Sequence, residues 1–404
     1  MSNNIPQGYK ESPLGVIPQD WEVRRLGEVC RVNQGLQIPI EKRLTEPTIN
    51  SYKYITIQYL NSAKDAEYII NPTDSVICCE DDVLMTRTGN TGIVVTNVSG
   101  VFHNNFFKIN FDRNIITKNF LVPYLRQDKT QHQILVKAGT STIPDLNHKD
   151  FYSIYFPIPP LAEQERIAEV LGTWDVAIEK QGALVDALTR RKRALMQQLL
   201  AARKRLPNFS TPWQDMEIRD VATEIKILNK KNDPLEVLSC TKHRGLVPSM
   251  EYFGKQIFSK DVTTYKVVPI NHFAYATNHI EEGSIGYQDR YTKALISPMY
   301  TVFKTVDTLI DNYYFYALLK SHLLIYKYAA RMEGSIDRRG GLRWDSFSKI
   351  KITIPLLKEQ KAISKILTTA DREIELATTK LNALRTQKRA LMQQLLTGKK
   401  RLKI

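Results

Sequence analysis

The stretch from Pro159 to Leu206 recurs from Pro355 to Leu402, displaced by 196 residues without a gap. Both copies open on Pro and Leu followed by Glu-Gln (Glu163-Gln164, Glu359-Gln360). Both contain the run KRALMQQLL (Lys192–Leu200, Lys388–Leu396) and close on Lys-Arg-Leu. Repetition at one long period means two copies of one structural unit. In the first copy apolar residues fall at Ile167, Leu171, Trp174, Ile178, Val185, Leu188, Leu195 and Leu199, a 4-3-4 rhythm interrupted at Gln181 and Lys192. The second keeps register with Ile363, Leu367, Ala370, Ile374, Ala377, Leu381, Leu384, Leu391 and Leu395, and Lys388 repeats the polar break. Such a heptad seam predicts coiled-coil helices, in which isolated polar positions set register and partner. An amphipathic helix over one large core is the plainer reading, but globular helices rarely run so long without breakers. Each rod is about 60 Å long; the first leaves the N-terminal globular segment and ends at the next, and the second leaves that segment and ends the chain. Pairing within one molecule is then antiparallel, around a pseudo-two-fold axis of the kind two identical chains make.

The expected division is 1–158 globular, 159–206 central helix, 207–354 globular and 355–404 second helix, an α+β arrangement. The 404 residues, 43% hydrophobic and 25% charged, suit two to three ordinary globular domains. Met1 to Gly15 is polar and no 18-residue apolar run occurs, so a cytoplasmic location without membrane contact is the default. Cys30, Cys78, Cys79 and Cys240 form no CxxC pair and read as small packed hydrophobes. A net charge of +15 favours a polyanionic partner. Ala187 to Leu206 carries seven Lys or Arg and no acid, and Leu376 to Ile404 is likewise free of acids. A solvated, dipole-complementing helix end explains part of that.

The duplication reaches into the globular parts, because Gln214–Arg219 mirrors Gln19–Arg24. Strands are expected at Lys53–Leu60, Ser75–Arg87, Gly92–Val98 and Val101–Phe111, a helix at Phe120–Val136, a loop at Gly139–Asp145 and a last strand at Phe151–Ile158. The second half repeats the order, with strands at Leu235–Thr241, Phe273–Thr277 and Pro298–Thr305. A helix at Asn312–Met332, a loop at Glu333–Gly341 and a strand at Phe347–Pro355 follow. Pairs such as Phe107 and Phe303 or Phe151 and Phe347 keep the spacing while most other residues differ. A shared scaffold with divergent loops suits two recognition domains for different targets.

In these motifs the chain resembles the specificity (S) subunit of type I restriction-modification systems. The resemblance lies in Ile17–Trp21 through Leu26-Gly27, the turn Asp82–Gly92, the helix entry Ile158–Ala168 and its repeat Ile354–Gln360, and covers nearly the whole chain. In the second half the turn is loosened to Thr277-Asn278-His279, with Gly283 and Gly286 further on. The resemblance implies two similar mixed α/β target-recognition domains held apart by two long antiparallel helices. Each domain would read half of a bipartite double-stranded DNA target in the major groove. It also implies a non-catalytic chain without cofactor. Two modification subunits using S-adenosylmethionine, and restriction subunits using ATP and magnesium, would dock on it.

The residues agree with that lack of chemistry. Asn71-Pro72-Thr73-Asp74 lacks the second Pro and the aromatic of an adenine methyltransferase motif, and no GxxxxGK[ST] loop is present. Glu80-Asp81-Asp82 reads as a turn rather than a nuclease metal site, and no metal ligands are assigned. A self-contained two-domain DNA-binding regulator is the alternative, but it has no need of two unlike halves. Base edges are read by Arg, Lys, Asn and Gln, and phosphates are held by Ser, Thr, Lys and backbone amides. The candidate contacts are therefore Arg87, Thr88, Asn90, Thr91, Thr140, Ser141, Asn147 and Lys149, then Asn278, His279, Ser284, Tyr287, Arg338, Arg339 and Arg343. For each, the plain alternative is a solvated loop residue.

Overall fold

A computed structural model describes residues 5–62, 64, 66–139, 144–332 and 341–402. It divides into two compact units, Met1–Gln181 with Lys380–Ile404, and Gly182–Thr379. The predicted rods are helices Leu161–Leu199 and Leu357–Leu395, 39 residues each, about 58 Å long at 1.5 Å per residue. Each stops where a residue takes up a left-handed conformation, Ala202 at φ 53° and Gly398 at φ 69°. Among the described residues no helix is long and apolar enough to cross a membrane.

The seam residues split by position. Ile167, Leu171, Ile363, Leu367, Ala370, Ala377, Leu381, Leu199 and Leu395 are buried, whereas Trp174, Ile178, Val185, Leu188, Leu195, Ile374, Leu384 and Leu391 are half-buried. The predicted breaks are handled by pairing, since Lys388 meets Asp175 in the first unit and Lys192 meets Asp371 in the second.

The first unit is organised on an antiparallel sheet ordered Cys30–Gln34, Phe106–Phe111, Val83–Thr86, Val94–Val95. The second repeats that order with Ala222–Ile225, Tyr300–Thr305, His272–Ala276 and Ile285–Gln288. In each, a two-stranded ribbon feeds the long helix that follows, Glu22–Arg25 with Tyr155–Ile158 and Gln214–Glu217 with Lys351–Ile354. The units diverge beside the sheet. The first adds a four-stranded sheet of Tyr68–Ile70, Ser51–Ile55, Gly100–Phe102 and Ile77–Cys78. The second has two ribbons there, Leu238–Thr241 with Gly245–Pro248 and Lys266–Pro269 with Lys293–Ile296.

Each core combines aromatics of the sheet and of the elements around it with both long helices. In the first unit Trp21, Phe107, Phe120, Phe151 and Phe156 pack with Ile167, Leu171, Leu395 and Leu396. In the second Phe273, Phe303, Tyr314 and Phe347 pack with Leu199, Leu200, Ile363 and Leu367. Within the first unit Glu163 meets Arg401 and Asp175 meets Lys388, so numbers rise on one helix as they fall on the other. The second unit shows the same antiparallel course with Arg205–Glu359, Lys192–Asp371 and Arg191–Glu373.

The repeated Glu-Gln has a physical cause. Gln164 donates to the Ile115 and Pro159 carbonyls at 2.8 and 2.9 Å and accepts from Thr117 N at 2.9 Å. Gln360 does the same for Leu309, Pro355 and Asp311. One buried amide thereby satisfies three backbone groups at each helix entry. The preceding glutamates, also buried, each accept from Nε and Nη2 of one arginine, Arg401 on Glu163 and Arg205 on Glu359, at 2.6–2.7 Å.

Several element boundaries differ from expectation. Lys53–Leu60 is a strand only to Ile55, because Thr56 caps a short helix Ile57–Asn61 by accepting from Tyr59 N. Of Gly92–Val98, only Val94–Val95 pairs as strand. Val101–Phe111 is two strands in different sheets, broken at His103-Asn104-Asn105. Both predicted single helices are pairs, Lys118–Arg126 with Asp128–Ala138 and Asn312–Leu319 with His322–Met332. The extended backbone of Gln127, ψ 147°, breaks the first. Phe151 and Phe347 belong to short helices, His148–Tyr152 and Trp344–Ser348, ahead of the last strands. Glu80–Asp82 is a turn, Asp82 accepting from Cys79 N at 2.9 Å while Asp81 pairs with Arg113 and Lys118.

Candidate nucleic-acid interface

In the first unit the strand Val83–Thr86 runs into the turn Arg87–Gly92. Glycines at 89 and 92 take φ of 83° and 93°, and a Cβ on Gly92 would stand 2.8 Å from Gln131 Oε1. Thr91 is buried and donates its one hydroxyl proton toward the carbonyls of Arg87 and Pro144, at 2.9 and 2.8 Å. Leu146 N donates to Arg87 O at 2.9 Å and Gly89 N to Pro144 O at 3.3 Å, so the loop before Asn147 lies against the turn. Arg87 pairs with Asp145 at 2.8 Å above the Phe107 ring, and Thr88 donates to the other Asp145 oxygen. Asn147 accepts from Asp150 N at 2.9 Å and caps His148–Tyr152. Asn90 and Lys149 are exposed, their side chains without a protein partner among the described residues. Thr140 and Ser141 lie outside the described residues.

The second unit builds the same junction from different side chains. Leu342 N donates to Thr277 O at 2.9 Å, the counterpart of the Leu146–Arg87 bond. The approach requires glycine at 341, where a Cβ would lie 2.3 Å from Asn278 Oδ1. Asn278 is half-buried, and His279 is exposed with Glu282 3.6 Å away. Ser284 is buried, its carbonyl accepting from Ala276 N at 3.0 Å. Tyr287 donates to Asn271 Oδ1 at 2.7 Å, and burial pushes its hydroxyl up to about 12, so it stays a neutral donor. Arg343 takes the position of Asn147 at the start of Trp344–Ser348 but does not cap it, and is exposed. Arg338 and Arg339 lie outside the described residues.

The structure thus gathers Arg87, Thr88, Asn90 and Asn147 at one junction and Asn278 and Arg343 at the other, while Thr91 and Ser284 turn inward. It also gathers residues that sequence reasoning missed. Thr277, Asn278 and Arg343 line an open groove of about 880 Å³ together with Arg219, Lys226, Lys266, Lys349 and Met299. Among the described residues its five cationic side chains outnumber the two acids, Glu224 and Asp345, giving a positive surface. Lys226 and Lys349 pair with those acids at 2.9 and 3.1 Å and Arg219 with Glu217 at 2.6 Å, whereas Arg343 has no ion pair among the described residues. Lys266 donates to Tyr300 O at 2.5 Å, and burial holds its ammonium below the usual lysine range. The signal that could have found Arg219 and Lys226 is their place beside the mirrored segment starting at Gln214.

Two units of one topology, each presenting a polar turn-and-loop junction with its own side chains, define a duplicated recognition protein. The family described as "Type I restriction modification DNA specificity domain" matches residues 18–185 and 211–386. The chain belongs to this family, whose members are the specificity subunits of type I restriction-modification systems and recognise DNA sequence. It is 24% identical to the type I restriction enzyme MjaVIII specificity subunit of Methanocaldococcus jannaschii, over 98% of this chain and 97% of that one. The putative MjaX specificity subunit of the same organism is 23% identical over the same shares. The crystal structure of the type I system S subunit from M. genitalium shares the fold, with a TM-score of 0.58 at 15% identity, covering 98% of this chain and 97% of that one. A chain from a structure of type I system assembly and conformational transition has a TM-score of 0.57 at 18% identity, covering 95% and 99%. Specificity subunits are the non-catalytic members of these systems and work with DNA and with modification and restriction subunits.

Proposed function

We propose that each unit reads one half of a bipartite DNA target. The first would use the junction at Arg87–Asn90 and Lys149, the second Asn278, His279 and Arg343. The matched backbone bonds Leu146–Arg87 and Leu342–Thr277 carry this reading, since they join the same two segments in both units while the side chains differ. One scaffold with two side-chain sets presents two donor and acceptor patterns to base edges. The surrounding lysines and arginines hold phosphates and position the junctions without reading sequence. This chain catalyses no step of its own. Two copies of a modification subunit dock on the long helices, restriction subunits complete the assembly, and S-adenosylmethionine, ATP and magnesium enter with those partners.

The test is methylome sequencing of cells carrying the system with Arg343→Ala. Loss of a bidentate guanine contact costs about 1–3 kcal/mol and relaxes one position of one half-site, whereas loss of a phosphate contact weakens all sequences alike and lowers the salt slope. Relaxation confined to the half-site that Arg87→Ala also alters would refute the division of labour.

A further inference from the structure

We propose that Met299 reads the 5-methyl group of a thymine in the half-site facing the second unit, which rests on the reading that this unit faces a DNA half-site. Met299 lies in the turn between strands Lys293–Ile296 and Tyr300–Thr305 and is 65% exposed. Its backbone is held on both sides. Thr277 Oγ1 donates to Met299 O at 3.0 Å, and the next residue, Tyr300, closes the turn on Ser297 O at 3.1 Å and accepts Lys266 Nζ through its carbonyl. The turn is therefore tied to the segment that carries Asn278 and His279.

Met299 lines the basic groove and also an adjoining cavity of about 310 Å³, whose lining includes Ile257, itself 51% exposed. An apolar group left in water beside Lys226, Lys266 and Arg343 contributes nothing to the core, and its burial against a partner would be favourable. Among the described residues the groove's five cations outnumber its two acids, even with Glu217 set against Arg219, which selects a polyanion over an apolar protein surface. On the major-groove edges of DNA the hydrogen-bonding positions are donors and acceptors, and the projecting apolar group is the thymine methyl. A flexible thioether packs against such a methyl without demanding one fixed geometry. In the first unit the corresponding turn carries His103, Asn104 and Asn105. The contact is thus particular to the second half-site.

The test uses the complex of this chain with its modification subunits and duplexes bearing the target found by methylome sequencing. Each thymine of the second half-site is replaced in turn by uracil, which removes only the methyl, and affinity is measured by fluorescence anisotropy at fixed salt. One replacement should weaken wild-type binding about fourfold, the worth of one buried methyl. Met299→Ala should weaken binding to the thymine duplex by a similar factor and be indifferent to that uracil, while Met299→Leu keeps the discrimination. Wild-type indifference to every uracil in that half-site overturns the proposal, and so does an unchanged uracil effect in Met299→Ala. Equal binding of target and scrambled duplexes by the wild-type complex would instead sink the half-site reading, and this proposal with it.

Discussion

Replacing Arg401 by Ala should weaken the first unit from inside. The Glu163 side chain has no solvent exposure, and Arg401 supplies Nε and Nη2 to its two oxygens at 2.6 and 2.7 Å. Trp21 Nε1, at 2.9 Å, is its other side-chain donor among the described residues. The substitution leaves a buried carboxylate with one N–H. Breaking a buried pair from one side costs about 3–5 kcal/mol, against about 1 kcal/mol or less for an exposed pair. Because Trp21 stays and Arg401 is itself 34% exposed, water can enter the space, which favours about 3 kcal/mol. For a unit of this size that is a fall of about 6–12 °C in melting temperature. Arg205→Ala should cost at least as much, because Trp213 Nε1 has no hydrogen-bond partner and leaves Glu359 without such a reserve donor. Hydrogen exchange read by mass spectrometry under mild urea separates the units. Peptides spanning Trp21–Val29 and Phe156–Leu171 should lose protection in Arg401→Ala while those of Gly182–Thr379 keep it. Adding Glu163→Gln should restore much of the loss, since a neutral amide still accepts from Trp21. A cost below about 1 kcal/mol, or no rescue by the glutamine, would refute the reasoning. Hydrogen bonds from Arg401 are also the main reason the Asp20 carboxyl sits below its usual range. A depressed folded pKa contributes stability that is present above the unfolded value near 4 and lost as pH falls through the folded value. Arg401→Ala should flatten that acid-side dependence below about pH 4.

Three further outcomes are expected. Ala202→Gly should stabilise the chain by about 0.5–1 kcal/mol by relieving a left-handed alanine, whereas Gly398→Ala should destabilise it, since its Cβ would lie 2.3 Å from Pro18 Cδ; urea unfolding reads both signs. Thr91→Val removes the hydroxyl that bonds the Arg87 and Pro144 carbonyls, at about 1–3 kcal/mol, and should degrade methylation at the first half-site alone, so equal degradation at both would count against the assigned junction.

Periodicity and duplication made the long helices, their register and the repeated topology legible, because both are local patterns in the chain. Breaks inside apolar runs were harder. The run Val101–Phe111 looks continuous because its strand formers flank His103-Asn104-Asn105, and only the packing of its two halves into different sheets separates them. At the junctions residue type singled out segments that the fold brings together, but not the role of each side chain. Whether Thr91 donates inward or outward depends on Pro144, which is remote in sequence, and the pairing of Arg87 with Asp145 has the same origin. Met299 and Lys266 escaped notice because their groove is assembled from segments with no shared motif.

The leucine pair Leu395-Leu396 and Arg401 complete the first unit's core, and that sets an order on synthesis. The Gly182–Thr379 unit is continuous in the chain and has all its parts once residue 379 has left the ribosome. The first unit begins earlier but finishes later, because the roughly 200 residues after Gln181 must be made before its last segment exists, about 10–40 s at ordinary elongation rates. During that interval Trp21, Ile167 and Leu171 lack their covering leucines. A neighbouring nascent chain carries the same KRALMQQLL run at Lys192–Leu200, so insertion of that segment from another copy is the misassembly to expect during synthesis.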